Sequence, residues 1–137
     1  MSASPIVVMI VDDHPRMRKL IRDLCAGAAD EFIEFACGED AVTAYDRLHP
    51  DCVLMDIEMP GMNGLTATRA IRSSDPTARI IITTSHDTPS FRQQAMLVGA
   101  NAFVSKDDLS NLPQLIQERC PQGRASGEGQ ETTQGSP

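Results

Sequence analysis

Ile6-Val7-Val8-Met9-Ile10-Val11 runs straight into Asp12-Asp13. Six apolar residues with no polar alternation describe a strand covered on both faces, the environment of a parallel sheet packed between helices. Three further runs have the same form. Cys52-Val53-Leu54-Met55 ends at Asp56, Ile80-Ile81-Ile82 at Thr83-Thr84, and Ala102-Phe103-Val104-Ser105 at Lys106. Open α/β sheets bind ligands just beyond the carboxyl ends of their strands. As parallel neighbours, these four runs would bring three carboxylates, a hydroxyl and an ammonium to one small site.

Outward from these runs, helical patterns alternate with strands. The spacing predicts strands over 6–11, 31–36, 52–56, 79–84 and 102–105. It predicts helices over 15–27, 39–48, 65–73, 89–98 and 109–119. Pro15 suits a first helical turn, Gly27 and Gly99 suit helix ends, and Pro50 is a stop. Leu20, Ile21, Leu24 and Cys25 recur at helical spacing and are expected to face inward, as are Ala41, Tyr45 and Leu48 in the second helix. Residues 59–64 are dense in turn formers and read as a loop, and Pro113 weakens the first turn of the fifth helix. Strict alternation implies a doubly wound α/β parallel sheet with helices on both faces. Right-handed crossovers leave few topologies, and the order 2-1-3-4-5 puts the switch point between the first and third strands. Residues 1–120 form one domain in this scheme. Residues 121–137, PQGRASGEGQETTQGSP, hold no large apolar residue and are expected to be a disordered tail.

The composition narrows the function. Of 137 residues, 41% are hydrophobic and 23% charged, as in ordinary globular domains. No apolar run approaches the roughly 20 residues needed to span a bilayer, and no secretory signal opens the chain, so membrane insertion is not expected and a cytoplasmic location is. The four cysteines, Cys25, Cys37, Cys52 and Cys120, lack C-x-x-C spacing and read as reduced small hydrophobes. A net charge of −7 argues against direct binding of nucleic acid. The small basic group Arg16, Arg18, Lys19 and Arg22 reads either as a solvated helix face or as a partner-docking face.

Three ionised carboxylates in one crevice repel one another, so their pKa values rise or a cation sits among them. Carboxylate and water ligands suit Mg²⁺ or Mn²⁺, and the set contains no His or Cys, which argues against zinc. A carboxylate flanked by a divalent cation, an ammonium and a hydroxyl is placed to accept a phosphoryl group as an acyl phosphate.

The chain resembles the receiver domain of bacterial two-component response regulators. The motifs are IVDDHP at 10–15, PDCVLMDIEMPGMNGL at 50–65, IIITTSHD at 80–87 and GANAFVSKDDL at 99–109. They stand in order at the right separations, and the likeness covers about residues 5–119. It implies a flavodoxin-like (βα)5 fold. It implies that Asp56 is the phosphoacceptor, taking its phosphoryl group from a sensor histidine kinase or a histidine phosphotransfer protein. Asp13 matches a direct Mg²⁺ ligand, Asp12 a ligand acting mostly through water, and Glu58 a backbone-carbonyl ligand. Thr84 matches the hydroxyl that moves toward the phosphoryl group, Lys106 the lysine that pairs with it, and Phe103 the aromatic switch. The output would be a protein-binding surface made by the fourth helix, fifth strand and fifth helix. The protein would be a signalling receiver with self-catalysed phosphotransfer and autodephosphorylation, acting alone, rather than an enzyme.

Single residues also have plainer readings. Asp13 is expected to cap the first helix. Met17, Met59, Pro60 and Met62 suit an apolar docking rim, with a core role equally open for Met62. In receivers the residues two past the acceptor and two past the switch hydroxyl tune phosphoryl lifetime; here these are Glu58 and His86, and His86 reads as an exposed bystander. A Mg²⁺-dependent phosphohydrolase is a competing function, but Ile57-Glu58 follows the acceptor where such enzymes commonly carry D-x-D. A constitutive interaction module that never meets phosphate is a third, at odds with the intact acidic set.

Overall fold

Alternate residues of β1 (Val7–Val11) feed two separate cores, and that alternation sorts the molecule into layers. The computed structural model describes residues 4–119. β2 (Glu31–Phe35), β3 (Cys52–Asp56), β4 (Ile80–Thr84) and β5 (Ala102–Ser105) join β1 in a five-stranded sheet of order β2-β1-β3-β4-β5. Every pairing is parallel. The helices are α1 (Pro15–Leu24), α2 (Gly38–Leu48), α3 (Gly64–Ser74), α4 (Pro89–Leu97) and α5 (Leu112–Arg119). Met9, Val11, Val53, Met55, Ile80 and Ile82 pack with Tyr45 of α2, Ile71 of α3 and Ala95 of α4. Val8, Ile10, Leu54 and Ile81 face the other way, onto Ile21 of α1 and Leu112 and Ile116 of α5. The expected doubly wound, flavodoxin-like fold is the one observed.

Because β3 and β4 are covered on both sides, all ten of their residues are buried, which is why they read as unbroken apolar runs. The register aligns the strand ends. Val11 lies opposite Met55, Asp56 opposite Thr83, and Thr84 opposite Ser105.

The first helix differs from its expected form. Ile21 and Cys25 are buried, but Leu20 and Leu24 are 51% and 40% exposed. The apolar stripe of α1 is wider than the strip the sheet covers, so only the Ile21–Cys25 line meets the core. The helix also stops at Leu24, with the Cys25 amide bonded to the Ile21 carbonyl, short of the expected end at 27. The basic group of this helix is largely used within the fold. Arg18 and Arg22 both pair with Glu34 of β2, and Lys19 pairs with Asp23. The fifth helix begins at Leu112 instead of 109, which puts Pro113 in its first turn, where its missing N–H costs nothing. Cys25 and Cys52 are buried and Cys37 is half-buried, and none of the three is in a disulfide. The tail at 121–137 and Cys120 lie outside the described residues.

After β3 the chain loops back so that α3 starts against the strand it has just left. The Gly64 amide donates to the Ile57 carbonyl at 2.8 Å. A Cβ at Gly64 would stand 1.9 Å from the Asp56 carbonyl oxygen, an overlap with rigid backbone. Gly64→Ala is therefore expected to cost on the order of 2–3 kcal/mol of unfolding free energy in urea melts. A loss below about 0.5 kcal/mol would mean that the β3–α3 connection yields freely.

Candidate functional site

At the carboxyl edge of the sheet, the strand ends bring their polar residues together. Asp12 and Asp56 are 1% and 3% exposed. The Lys106 ammonium sits between them, 2.7 Å from Asp12 Oδ2 and 3.1 Å from Asp56 Oδ1, on a side chain only 7% exposed. Asp13 lies alongside, half-buried. One ligand atom from each of Asp12, Asp13, His14 and Asp56 fits within a span of 4.8 Å. Thr83 and Thr84 are both buried at the end of β4.

Local hydrogen bonds hold each strand end. The Asp12 amide donates to the Phe35 carbonyl at 3.0 Å, and the Asp12 carbonyl accepts from the Arg18 guanidinium at 2.6 Å. Asp12 Oδ1 accepts the His14 amide at 2.9 Å. The N-cap of α1 is His14, which makes no side-chain cap, so the expected capping by Asp13 is not what the chain does. Pro15 leaves the first turn one N–H fewer to satisfy, and Asp12 serves the His14 amide instead. Asn63 Oδ1 caps α3 by accepting the Leu65 and Thr66 amides. The Thr84 hydroxyl accepts the His86 amide at 3.0 Å, and the Lys106 amide donates to the Thr84 carbonyl at 2.7 Å.

The electrostatics follow from burial. The Asp56 carboxyl is pushed up to about 6, first by loss of water and then by Asp12 and Asp13, against the pull of Lys106. Burial alone would lower the Lys106 ammonium. Its hydrogen bond to Asp12 and the Asp56 charge outweigh that, and its pKa rises. Asp12 Oδ2 and Asp13 Oδ1 are enclosed oxygens whose near neighbours are the Lys106 ammonium and the His14 ring respectively. With all three carboxylates ionised, one ammonium leaves a deficit of two positive charges. The donor set therefore fits a divalent cation.

The expected residues Asp12, Asp13, Asp56 and Lys106 are brought together. Glu58 is exposed at the rim, and His86, exposed as expected, has its Nδ1 2.5 Å from Glu58 Oε1. Phe103 is half-buried under the Arg92 guanidinium, 4.8 Å from ring centroid to Cζ, and Arg92 in turn chelates Asp87 at 2.8 and 2.9 Å. Met59 is buried and Met62 packs against the same core, so neither forms a free docking rim. Sequence reasoning missed His14, whose Nδ1 is 3.2 Å from Asp12 Oδ1 and 3.3 Å from Asp13 Oδ1. The signal available was adjacency, since His14 directly follows the acidic pair. It also missed Arg18, for which residue spacing offers no hint of a bond back to the Asp12 carbonyl.

Comparison with known proteins bears on these features. The family model for the response regulator receiver domain matches residues 8–117. The chemotaxis protein CheY of Thermotoga maritima is 39% identical over 100 residues, covering 72% of this chain and 83% of that protein. Response regulator GacA of Pseudomonas aeruginosa is 34% identical over 120 residues, covering 82% of this chain and 52% of GacA. The chain thus spans about half the length of some curated relatives it matches. A crystal structure of a LuxR-family two-component response regulator from Aurantimonas sp. superposes with a TM-score of 0.78 at 35% identity, covering 90% of each chain.

The raised Asp56 carboxyl has a consequence for stability. An acid whose folded pKa lies above its unfolded value destabilises the fold when ionised. That cost is full above about pH 6 and disappears as pH falls through the window from 6 to 3.8. Asp56→Asn is expected to stabilise the metal-free protein by on the order of 2 kcal/mol at pH 7.5, with the advantage shrinking toward pH 4.5. Thermal melts of both proteins across that range test it. An advantage that does not vary with pH would contradict the assignment of the cost to ionisation.

Proposed function

This chain belongs to the response regulator receiver domain family, and from that premise we propose that it is a phosphorylation-dependent switch in a two-component system, with Asp56 as phosphoacceptor. The observation that carries the reading is the Lys106 ammonium held between Asp12 and Asp56 at the rim of three parallel strand ends. The upstream donor is a phosphohistidine on a sensor kinase or a histidine phosphotransfer protein. An Asp56 carboxylate oxygen attacks phosphorus, the P–N bond breaks, and its electron pair leaves with the donor imidazole. Above about pH 6 Asp56 is mostly ionised and ready to attack. Lys106 offers its ammonium to the transferred phosphoryl oxygens and offsets the charge of Asp12 and Asp56.

Asp12, Asp13, Asp56 and the Glu58 backbone carbonyl would hold Mg²⁺, with Mn²⁺ as a substitute. A bound dication supplies positive charge that lets carboxylates and phosphoryl oxygens crowd together. Domain limits of 1–120, a cytoplasmic setting and the absence of direct nucleic-acid contact complete the proposal. Among the described residues no helix is long and apolar enough to cross a membrane.

The switch path is supported by a run of contacts. Thr84 gives up the His86 amide to reach a phosphoryl group, which pulls on residues 85–88. Asp87 in that segment grips Arg92, and Arg92 covers Phe103. Movement of Thr84 therefore loosens Phe103 and remodels the face of α4, β5 and α5, which is the proposed protein-binding output.

Acetyl phosphate with Mg²⁺ is expected to label the protein at Asp56, mapped by mass spectrometry, and Asp56→Asn to lose the label. Labelling at normal stoichiometry in that variant would refute the acceptor. Lys106→Ala is expected to remain labelled but to lose most of the amide NMR shifts that labelling induces in α4, β5 and α5. Unchanged shifts would remove Lys106 from the switch.

A further inference from the structure

His14 borders the acidic crevice and has no part in the proposed reaction. Its ring stands at the rim with Nδ1 turned to the carboxylates, 3.2 Å from Asp12 Oδ1 and 3.3 Å from Asp13 Oδ1. Two constraints fix the residue there. Its amide donates to Asp12 Oδ1, and the following Pro15 holds it to extended backbone, observed at φ −99° and ψ 111°.

We infer that His14 makes this a mixed imidazole–carboxylate centre, which takes a transition-metal dication, Ni²⁺ ahead of Mn²⁺, with Nδ1 as an added ligand. The inference rests on the cation-holding role proposed above for Asp12, Asp13 and Asp56. The four ligand atoms lie within 4.8 Å of one another. Ligands about 2.1 Å from one ion are at most about 4.2 Å apart, so small side-chain adjustments close the set. The ring is 68% exposed and free to make such an adjustment. His14 and Lys106 do not compete, because His14 approaches Oδ1 of Asp12 and Lys106 approaches Oδ2. His86 faces Glu58 instead. Imidazole adds little for hard Mg²⁺ and progressively more along the series from Mn²⁺ to Ni²⁺. His14 therefore sets the selectivity of the site among metals, whereas the carboxylates set its affinity for dications in general.

The test uses the full chain and three metal salts. Dissociation constants for Mg²⁺, Mn²⁺ and Ni²⁺ are measured by calorimetry for the wild type, His14→Ala and Asp13→Asn, and bound Mn²⁺ is examined by electron–nuclear double resonance for ¹⁴N coupling. His14→Ala is expected to weaken Ni²⁺ about tenfold or more while changing Mg²⁺ less than about twofold. The ¹⁴N coupling should be lost in His14→Ala and kept in His86→Ala. Asp13→Asn should weaken all three metals. An unchanged ratio of Ni²⁺ to Mg²⁺ affinity, a ¹⁴N coupling that survives in His14→Ala, or Ni²⁺ binding indifferent to Asp13→Asn would each overturn the inference. If Mg²⁺ binding stays intact, such a result overturns it alone. If the wild type binds no Mg²⁺, the proposed acceptor site falls with it.

Discussion

A single ammonium, Lys106, is shared by two carboxylates that folding removes from water almost completely, and the carboxyl edge of the sheet is organised around that unequal pairing. Burying a charge without a partner costs several kcal/mol, so Asp12 and Asp56 tolerate their positions only because Lys106 reaches both. The reach is long. Lys106 follows β5, whereas Asp12 follows β1, and β3 and β4 lie between those strands. A lysine stem spans that gap along the strand ends, and its backbone is pinned to the Thr84 carbonyl. The compensation is incomplete, which is why burial still pushes the Asp56 carboxyl up to about 6. A site left short of positive charge is one that welcomes a dication.

The fold was legible because burial on both faces leaves its mark in composition. β1, β3 and β4 carry no polar residue until their ends, and the ends are the site. The pattern was less informative where an element is covered on one side only. On α1, Leu20 and Leu24 satisfy helical spacing as well as Ile21 and Cys25 do, and spacing alone does not say how wide a strip the sheet covers. Helix ends depend on which amide finds which acceptor. Asp13 looked like the cap because it precedes Pro15, yet Asp12 carries the hydrogen bond to the intervening amide.

The convergence of Asp12, Asp13, Asp56 and Lys106 was legible, since parallel register brings the strand ends together. The supporting residues were not. Spacing alone assigns His14 no role, although its place next to Asp13 puts its ring at the rim. His86 and Glu58 come from different loops, and only the side-by-side packing of β3 and β4 makes them neighbours. Arg92 is nearly invisible in sequence. Its stacking on Phe103 and its grip on Asp87 depend on α4 leaning over β5.

That last pair of contacts bears on how a change at Asp56 would be felt at a distance. Proteins carry a signal through elements with two discrete arrangements, because packed side chains do not deform continuously. Beside the packed β4–β5 pairing runs a short polar relay from Thr84 to Phe103: a hydroxyl holding an amide, a carboxylate two residues after that hydroxyl's neighbour, and a guanidinium lying on a ring. Beyond the buried Thr84 hydroxyl the links are exposed or half-exposed, so each of those is worth little by itself in water. Weak links in series favour a switch, since breaking the first removes the geometric reason for the others. A stronger, buried relay would lock Phe103 in one place, and the charge added at Asp56 would then have no equilibrium to shift.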